Sequence, residues 1–304
     1  MIRSSVKNCL LIIIVILSSM NLTAQNKTIN IYPADNIRYK ITNDIGDIFE
    51  YENGLIRRKK TIQNPTIEIY YPKKMTDNMP AVLICPGGGY SFLSHLPEGV
   101  KVAEYLSDAD IVGIIVNSRL PDDRIMTNKS EVPLHDLQQA LKYVRENAKS
   151  LGVNPEKIGV MGFSAGGHLA STAAVHFEDK MYRPDISILI YPVITMEDDF
   201  THRGSKNNLL GKDPSIHLVQ KYSNHKHINQ NTPPTFIVHS IDDKTVPVQN
   251  STQYIDHLIQ HQVKNCAFHI FPNGGHGYGL AQDKSDQLKD WPMLLVKWLK
   301  ELGW

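Results

Sequence analysis

Serine, aspartate and histidine stand at three places where short motifs free them for chemistry. Gly162-Phe163-Ser164-Ala165-Gly166 sets a serine among glycines. The apolar run Ile158 to Met161 before it suits a buried strand, and Leu169, Ala170, Ala173 and Ala174 after it suit a helix. A chain that reverses so sharply needs small residues beside the turn. It then holds the serine strained, with its hydroxyl exposed at the positive end of the helix. That hydroxyl is a poor nucleophile until a base takes its proton, and the base needs an orienting acid. His276 is the candidate base: it lies in Gly274-Gly275-His276-Gly277, just past the apolar run ending at Phe271, free of bulky neighbours. Asp243 is the candidate acid, ahead of Thr245-Val246-Pro247 and directly after the run starting at Thr235. Asp242 beside it is an alternative, and Asp198 and Asp199 are remoter ones. Ser, Asp, His is one of three chain orders in which serine enzymes carry such a set.

Attack on a carbonyl also needs fixed N–H donors for the developing oxyanion. One is expected from Ala165, the residue after the nucleophile. The other is expected from Gly88 and Gly89 in Cys85-Pro86-Gly87-Gly88-Gly89-Tyr90, where glycines let the backbone turn its amides inward. No Lys-Ser/Thr follows these glycines, as a phosphate-binding loop demands, and no G-x-G-x-x-G is present. Tyr90, Phe92, Arg119, His168 and Tyr278 each neighbour a motif and are candidate substrate contacts. His257 and His261 stand at metal-ligand spacing, but Leu258 occupies the place where a zinc protease needs Glu. They read as helix-surface residues, and Cys85 as the buried end of a strand.

These groups must be held by a scaffold of alternating strands and helices. Strands are expected at Thr66–Tyr71, Ala81–Cys85, Ile111–Asn117, Ile158–Met161, Ile186–Tyr191, Thr235–His239 and Cys266–Phe271. The first alternates, as a half-exposed edge strand does. The later ones are continuously apolar, as buried parallel strands are. Leu134, Leu137, Leu141 and Val144 recur at helical spacing, with Gly152 as a stop signal beyond. Tyr254, Ile255, Leu258 and Ile259 make a second stripe, and Leu294, Leu295, Trp298 and Leu299 after Pro292 a third. The pattern implies a mostly parallel sheet covered by helices on both faces, with chemistry at the carboxyl ends of the strands. Residues 196–233 are too long and polar for a plain connection and are expected to form a cap-like helical insertion over the site.

The first 24 residues read as a secretory signal peptide: Arg3 and Lys7, an apolar stretch from Cys9 to Leu17, then the small-residue site Leu22-Thr23-Ala24. A retained N-terminal anchor is the alternative. Residues 25–304 suit one large α/β domain, without repeats or a dividing linker. Removing Arg3 and Lys7 takes the net charge from +1 to −1, which gives no electrostatic reason to bind nucleic acid or an anionic membrane. Arg57-Arg58-Lys59-Lys60 reads as a solvated loop. Cys85 and Cys266 remain and read as buried free thiols.

The whole constellation resembles the α/β-hydrolase superfamily. Pro86-Gly87-Gly88-Gly89-Tyr90, Glu98-Gly99, Arg119-Leu120-Pro121, Gly162 to His168, Tyr191-Pro192-Val193, Leu209-Leu210-Gly211 and Gly274 to Gly277 resemble a narrower group within it, exported bacterial carbohydrate esterases of the acetylxylan and feruloyl type. The resemblance implies an α/β-hydrolase fold, acylated carbohydrate as substrate, and no metal or organic cofactor. The chain departs from the group at Ser118, where a tyrosine is usual, and at Ser240, where a glycine is usual. Three other readings stay open: a serine peptidase on the same scaffold, a xylanase-type glycoside hydrolase, and a carbohydrate-binding protein without catalysis.

Overall fold

Side chains on a strand point alternately to opposite faces, and that period sorts the core of this protein into two layers. Along one central strand, Ala81, Leu83 and Cys85 join one apolar cluster, while Val82 and Ile84 join the other. The computed structural model describes residues 27–33, 36–41, 43–284 and 287–304. The expected signal peptide, and any anchor, lie outside the described residues.

Ten strands are described: β1 (Lys27–Asn30), β2 (Ile48–Glu52), β3 (Leu55–Thr61), β4 (Thr66–Tyr70), β5 (Met79–Cys85), β6 (Val112–Asn117), β7 (Val153–Phe163), β8 (Ser187–Ile190), β9 (Thr235–Ser240) and β10 (Ala267–Phe271). Eight of them form one sheet in the order β1-β4-β6-β5-β7-β8-β9-β10. β1 and β4 run antiparallel to their neighbours, and β6 through β10 are mutually parallel. The buried strands are continuously apolar because both faces are covered.

One face carries α2 (Val132–Glu146), α3 (Ala148–Leu151), α4 (Ala165–Val175) and α7 (Gln249–Gln260), which bury Leu137, Leu151, Ala170 and Leu258. The other carries α1 (Lys101–Asp108) and α8 (Trp291–Glu301), which bury Leu106 and Leu295. Gly113 of β6 lets α1 settle closely, since a Cβ there would lie 2.8 Å from the Ala103 Cα. The expected helix stop is split: α2 ends at Asn147, and a further turn, α3, ends at Gly152, whose φ of 68° suits glycine.

Two readings are corrected here. Arg57 to Lys60 are not a loop but the middle of β3, which pairs with β2 as a separate hairpin. Lys59 is buried, with its ammonium on Glu68 and on Asn117 at 2.9 Å. Cys266 is half-buried rather than buried, and it and Cys85 are free thiols. Residues 196–233 contain α5 (Arg203–Leu210), α6 (Ile216–Lys221) and a 3₁₀ turn at Asn224–His227. His202 and Ser215 cap α5 and α6 by accepting from the amides of Ser205 and Leu218. No helix among the described residues is long and apolar enough to cross a membrane.

Candidate active site

Ser164 sits between the last residue of β7 and the first of α4, with φ 53° and ψ −118°. Non-glycine residues rarely hold that backbone, and here three backbone hydrogen bonds enforce it. Its N–H donates to Ile190 O at 3.0 Å, and its carbonyl accepts from the amides of His168 and Val193 at 3.1 and 3.0 Å. The flanking glycines leave no alternative. A Cβ on Gly162 would lie 2.0 Å from Gly166 O, and one on Gly166 would lie 2.0 Å from Cys85 O.

His276 comes to this serine from the loop after β10, with its Nε2 2.9 Å from Ser164 Oγ. Its Nδ1 lies 2.7 Å from Asp243 Oδ2, in the loop after β9. Asp243 Oδ1 accepts from the amides of Thr245 and Val246, both at 2.9 Å. The Asp243 carboxylate is wholly buried. Burial alone would raise its pKa, but hydrogen bonds from His239 and His276, the charge of His276 and the Val246 amide hold it well below the usual carboxylate range. It is therefore ionised at neutral pH and fixes the proton of His276 on Nδ1, leaving Nε2 to accept from the serine. Asp242 does different work: its Oδ1 accepts the Gly275 N–H at 2.9 Å and so holds the histidine loop. Asp198 is on the surface, paired with Lys206.

Gly88 and Gly89 follow β5 with φ of 129° and 64°. A Cβ on Gly88 would lie 2.0 Å from Phe92 O, so only glycine fits. Among the described residues, the amides of Gly88 and Gly89 have no acceptor. The amide of Ala165, first in α4, has no carbonyl within its own helix to meet. Asn208 of α5 reaches over and donates to Gly89 O at 2.8 Å. His202, just before α5, lies against the same loop: a Cβ on Gly89 would be 3.5 Å from its ring. Burial, with the charge of nearby His276, keeps its pKa low.

The five candidate substrate contacts divide. Arg119 is corrected: it is 1% exposed, and forks onto Asp136 at 3.0 and 2.7 Å while donating to Arg38 O at 2.8 Å. It has no face for a ligand. His168 is corrected too. It is fully buried, donates from Nε2 to Tyr222 O at 2.8 Å, and accepts at Nδ1 from the Tyr90 hydroxyl at 2.8 Å. Burial pushes its pKa down to about 4. Tyr90 is thereby also committed to the interior. Tyr278 is buried, with its ring edge-on to Tyr191 at 4.4 Å. Phe92 alone is half-open. It lies under the Arg58 guanidinium at 4.5 Å and walls a small cavity with Ser118, Leu120 and Ala165. A larger hollow, bounded by Lys74, Met79, Asp110 and Trp304, lies at the amino ends of the strands. Chemistry in such sheets gathers at the carboxyl ends, where Ser164, Asp243 and His276 meet.

Three supporting residues escaped the sequence. His239 at the end of β9 lies with Nε2 3.2 Å from Asp243 Oδ2 and 2.9 Å from Val246 O, while Ser251 Oγ meets its Nδ1 at 2.7 Å. Tyr191 and Glu98 join each other behind the site. Both belong to the strings Tyr191-Pro192-Val193 and Glu98-Gly99 but carry no motif for their role.

Residues 67–258 match the BD-FAE family. An acetylxylan esterase from Xylanibacter ruminicola is 34% identical over 80% of this chain and 55% of its own length. Endo-1,4-beta-xylanase B from Butyrivibrio fibrisolvens is 33% identical over 67% of this chain and 33% of its own length. The chain thus spans about half or less of these two curated relatives. Among solved structures, an acetyl ester-xyloside bifunctional hydrolase from Caldicellulosiruptor lactoaceticus superposes with a TM-score of 0.76 at 34% identity, over 91% of this chain and 96% of that one. The match covers well over half of the chain, including Ser164 and Asp243: this protein belongs to the BD-FAE family, on an α/β-hydrolase fold.

Proposed function

We propose that this protein is an exported serine esterase that removes acyl groups, chiefly acetyl, from plant polysaccharides or their oligosaccharides. The observation that carries the reading is the continuous path from Ser164 Oγ through His276 to Asp243, at 2.9 and 2.7 Å. In it, Ser164 Oγ attacks the ester carbonyl carbon as His276 Nε2 takes its proton. The amides of Gly88, Gly89 and Ala165 receive the oxyanion. The tetrahedral intermediate collapses, the carbon–oxygen bond to the sugar breaks, and His276 returns the proton to the departing alcohol. Water, deprotonated by the same nitrogen, then releases the acid from Ser164. Asp243 stays ionised throughout and stabilises the imidazolium. The α5–α6 segment covers the donor loop, a role supported by Asn208 and His202 against Gly89. Substrate identity rests on the acetylxylan esterase and acetyl ester-xyloside hydrolase relatives.

The test is hydrolysis of a chromogenic acetate ester and acetate release from acetylated xylan. Ser164→Ala should lower both by at least about a thousandfold; undiminished hydrolysis refutes the mechanism. Glycosidic cleavage is a second reading, favoured by the xylanase and xyloside names of two relatives. Acetate without shorter oligosaccharides decides for the esterase.

A further inference from the structure

Behind the catalytic groups lies a carboxyl group that this mechanism leaves unused. Glu98 sits in the π-helical turn Leu96–Val100 that leads into α1, and is 5% exposed. Its Oε2 accepts the Gly87 N–H at 2.8 Å, at the root of the donor loop. Its Oε1 accepts the Tyr191 hydroxyl at 2.8 Å. Tyr191 oxygen accepts in turn from the Gly279 N–H at 3.0 Å, three residues past His276. The Tyr191 ring stands edge-on to the His276 imidazole at 4.8 Å.

This connection is tightly packed. A Cβ on Gly87 would lie 2.8 Å from Glu98 Oε2 and 3.0 Å from Ser164 Cβ. Tyr191 holds a φ of 37°, which a tyrosine rarely adopts, with its amide on Val238 O at 2.7 Å. Both carboxyl oxygens are met by donors, the bonding pattern of a carboxylate rather than of an acid. Burial opposes it, raising the pKa of Glu98, and the nearby charge of His276 favours it. A buried charge is costly unless its bonds do something in return. Here they join two loops, the one that carries the oxyanion donors and the one that carries the base, on either side of Ser164.

We propose that Glu98 is a positioning residue. Through Gly87 on one side and Tyr191 to Gly279 on the other, it sets the donor loop and the His276 loop in register with Ser164, and its negative charge favours the imidazolium that forms on His276. The inference rests on the serine-esterase reading above. It assigns Glu98 no contact with substrate.

Glu98→Gln tests it, because the amide has the same size but bears no charge and cannot accept at both ends. Tyr191→Phe removes only the relay hydroxyl. On a chromogenic acetate, kcat of Glu98→Gln should fall between about tenfold and a hundredfold, with KM little changed. The acidic limb of its kcat/KM profile should move to lower pH, since an anion that favoured protonated His276 is gone. The other groups facing His276 (Asp243, Tyr191, Tyr278 and His202) are the same in both proteins, so the shift reports Glu98. Tyr191→Phe should lower kcat less, and the double variant should be no slower than Glu98→Gln, because the two act through one connection. A folded Glu98→Gln with wild-type kcat overturns the proposal. So does a slower one whose acidic limb has not moved and whose loss adds to that of Tyr191→Phe, the behaviour of a merely structural residue. If Glu98→Gln does not fold, wild-type kcat in Tyr191→Phe overturns it alone. Ser164→Ala is run alongside. Activity that survives Ser164→Ala overturns the serine-esterase reading itself, whereas activity lost there but kept in Glu98→Gln overturns only this inference.

Discussion

Asp243→Asn separates two jobs that the carboxylate performs at once, orienting His276 and choosing its tautomer. The amides of Thr245 and Val246 point at Oδ1 from 2.9 Å, and an amide N–H can only donate. In the variant, the carboxamide oxygen must therefore occupy that end. Its NH₂ then takes the Oδ2 position, 2.7 Å from His276 Nδ1. An NH₂ there donates, so Nδ1 must be bare and the imidazole proton must sit on Nε2. That nitrogen then faces Ser164 Oγ, 2.9 Å away, as a donor and cannot take its proton. The geometry is kept and the chemistry is reversed. A loss of about four orders of magnitude in kcat is expected, or about 5 kcal/mol of barrier. Asp243→Ala leaves the tautomer free, so Asn should be no faster than Ala although it is the better shape match. Initial rates on a chromogenic acetate, normalised to folded protein by circular dichroism, give the comparison. An Asn variant within tenfold of wild type, or clearly faster than Ala, would refute this account of Asp243.

Acidification should weaken the fold before it protonates many carboxylates. Burial holds His168, and with neighbouring charges His176 and His225, down at about 4. The unfolded chain takes up these protons near pH 6.5, so stability is complete above 6.5 and falls as pH drops toward 4. For His168 alone the loss is on the order of 3 kcal/mol, and His168→Gln should flatten the melting temperature measured across that range. Arg119→Ala leaves Asp136 buried and uncompensated, which should lower unfolding free energy by about 3–5 kcal/mol in a denaturant titration while KM of the folded fraction stays put. Gly88→Ala must push its methyl into Phe92 O and should lower kcat by about a hundredfold, read as initial rates on the same acetate.

The parallel core was legible because each strand is buried on both faces and so must be apolar throughout; β5 to β9 all lie within a few residues of the runs that announce them. The β2–β3 hairpin was not. Its strands stand apart from the large sheet, with one bridge from Lys59 to Leu93, and Arg57, Arg58 and Lys60 face glutamates of β2 across the pair or near the turn. Such a strand reads as a charged loop. At the site, Ser164, Asp243 and His276 stood out because glycines and turn residues surround them. Arg119 and His168 misled because they adjoin motifs in the chain, yet their side chains turn inward to Asp136 and Tyr222. Glu98 and Tyr191 owe their place to each other across 93 residues of chain, which no local spacing encodes, whereas His239 meets Asp243 only four residues on but carries no motif of its own.

β10, which leads into the histidine loop, is the outermost strand on its side of the sheet, paired only with β9, and all but its last residue are partly exposed. Ser164 instead follows β7, enclosed by β5 and β8. Local opening at that rim would carry His276 away from Ser164 while the interior stays intact. Warming should therefore silence turnover, reversibly, at temperatures where calorimetry still finds the molecule folded, and deuterium should enter Ala267 to Phe271 well before the strands that carry the serine.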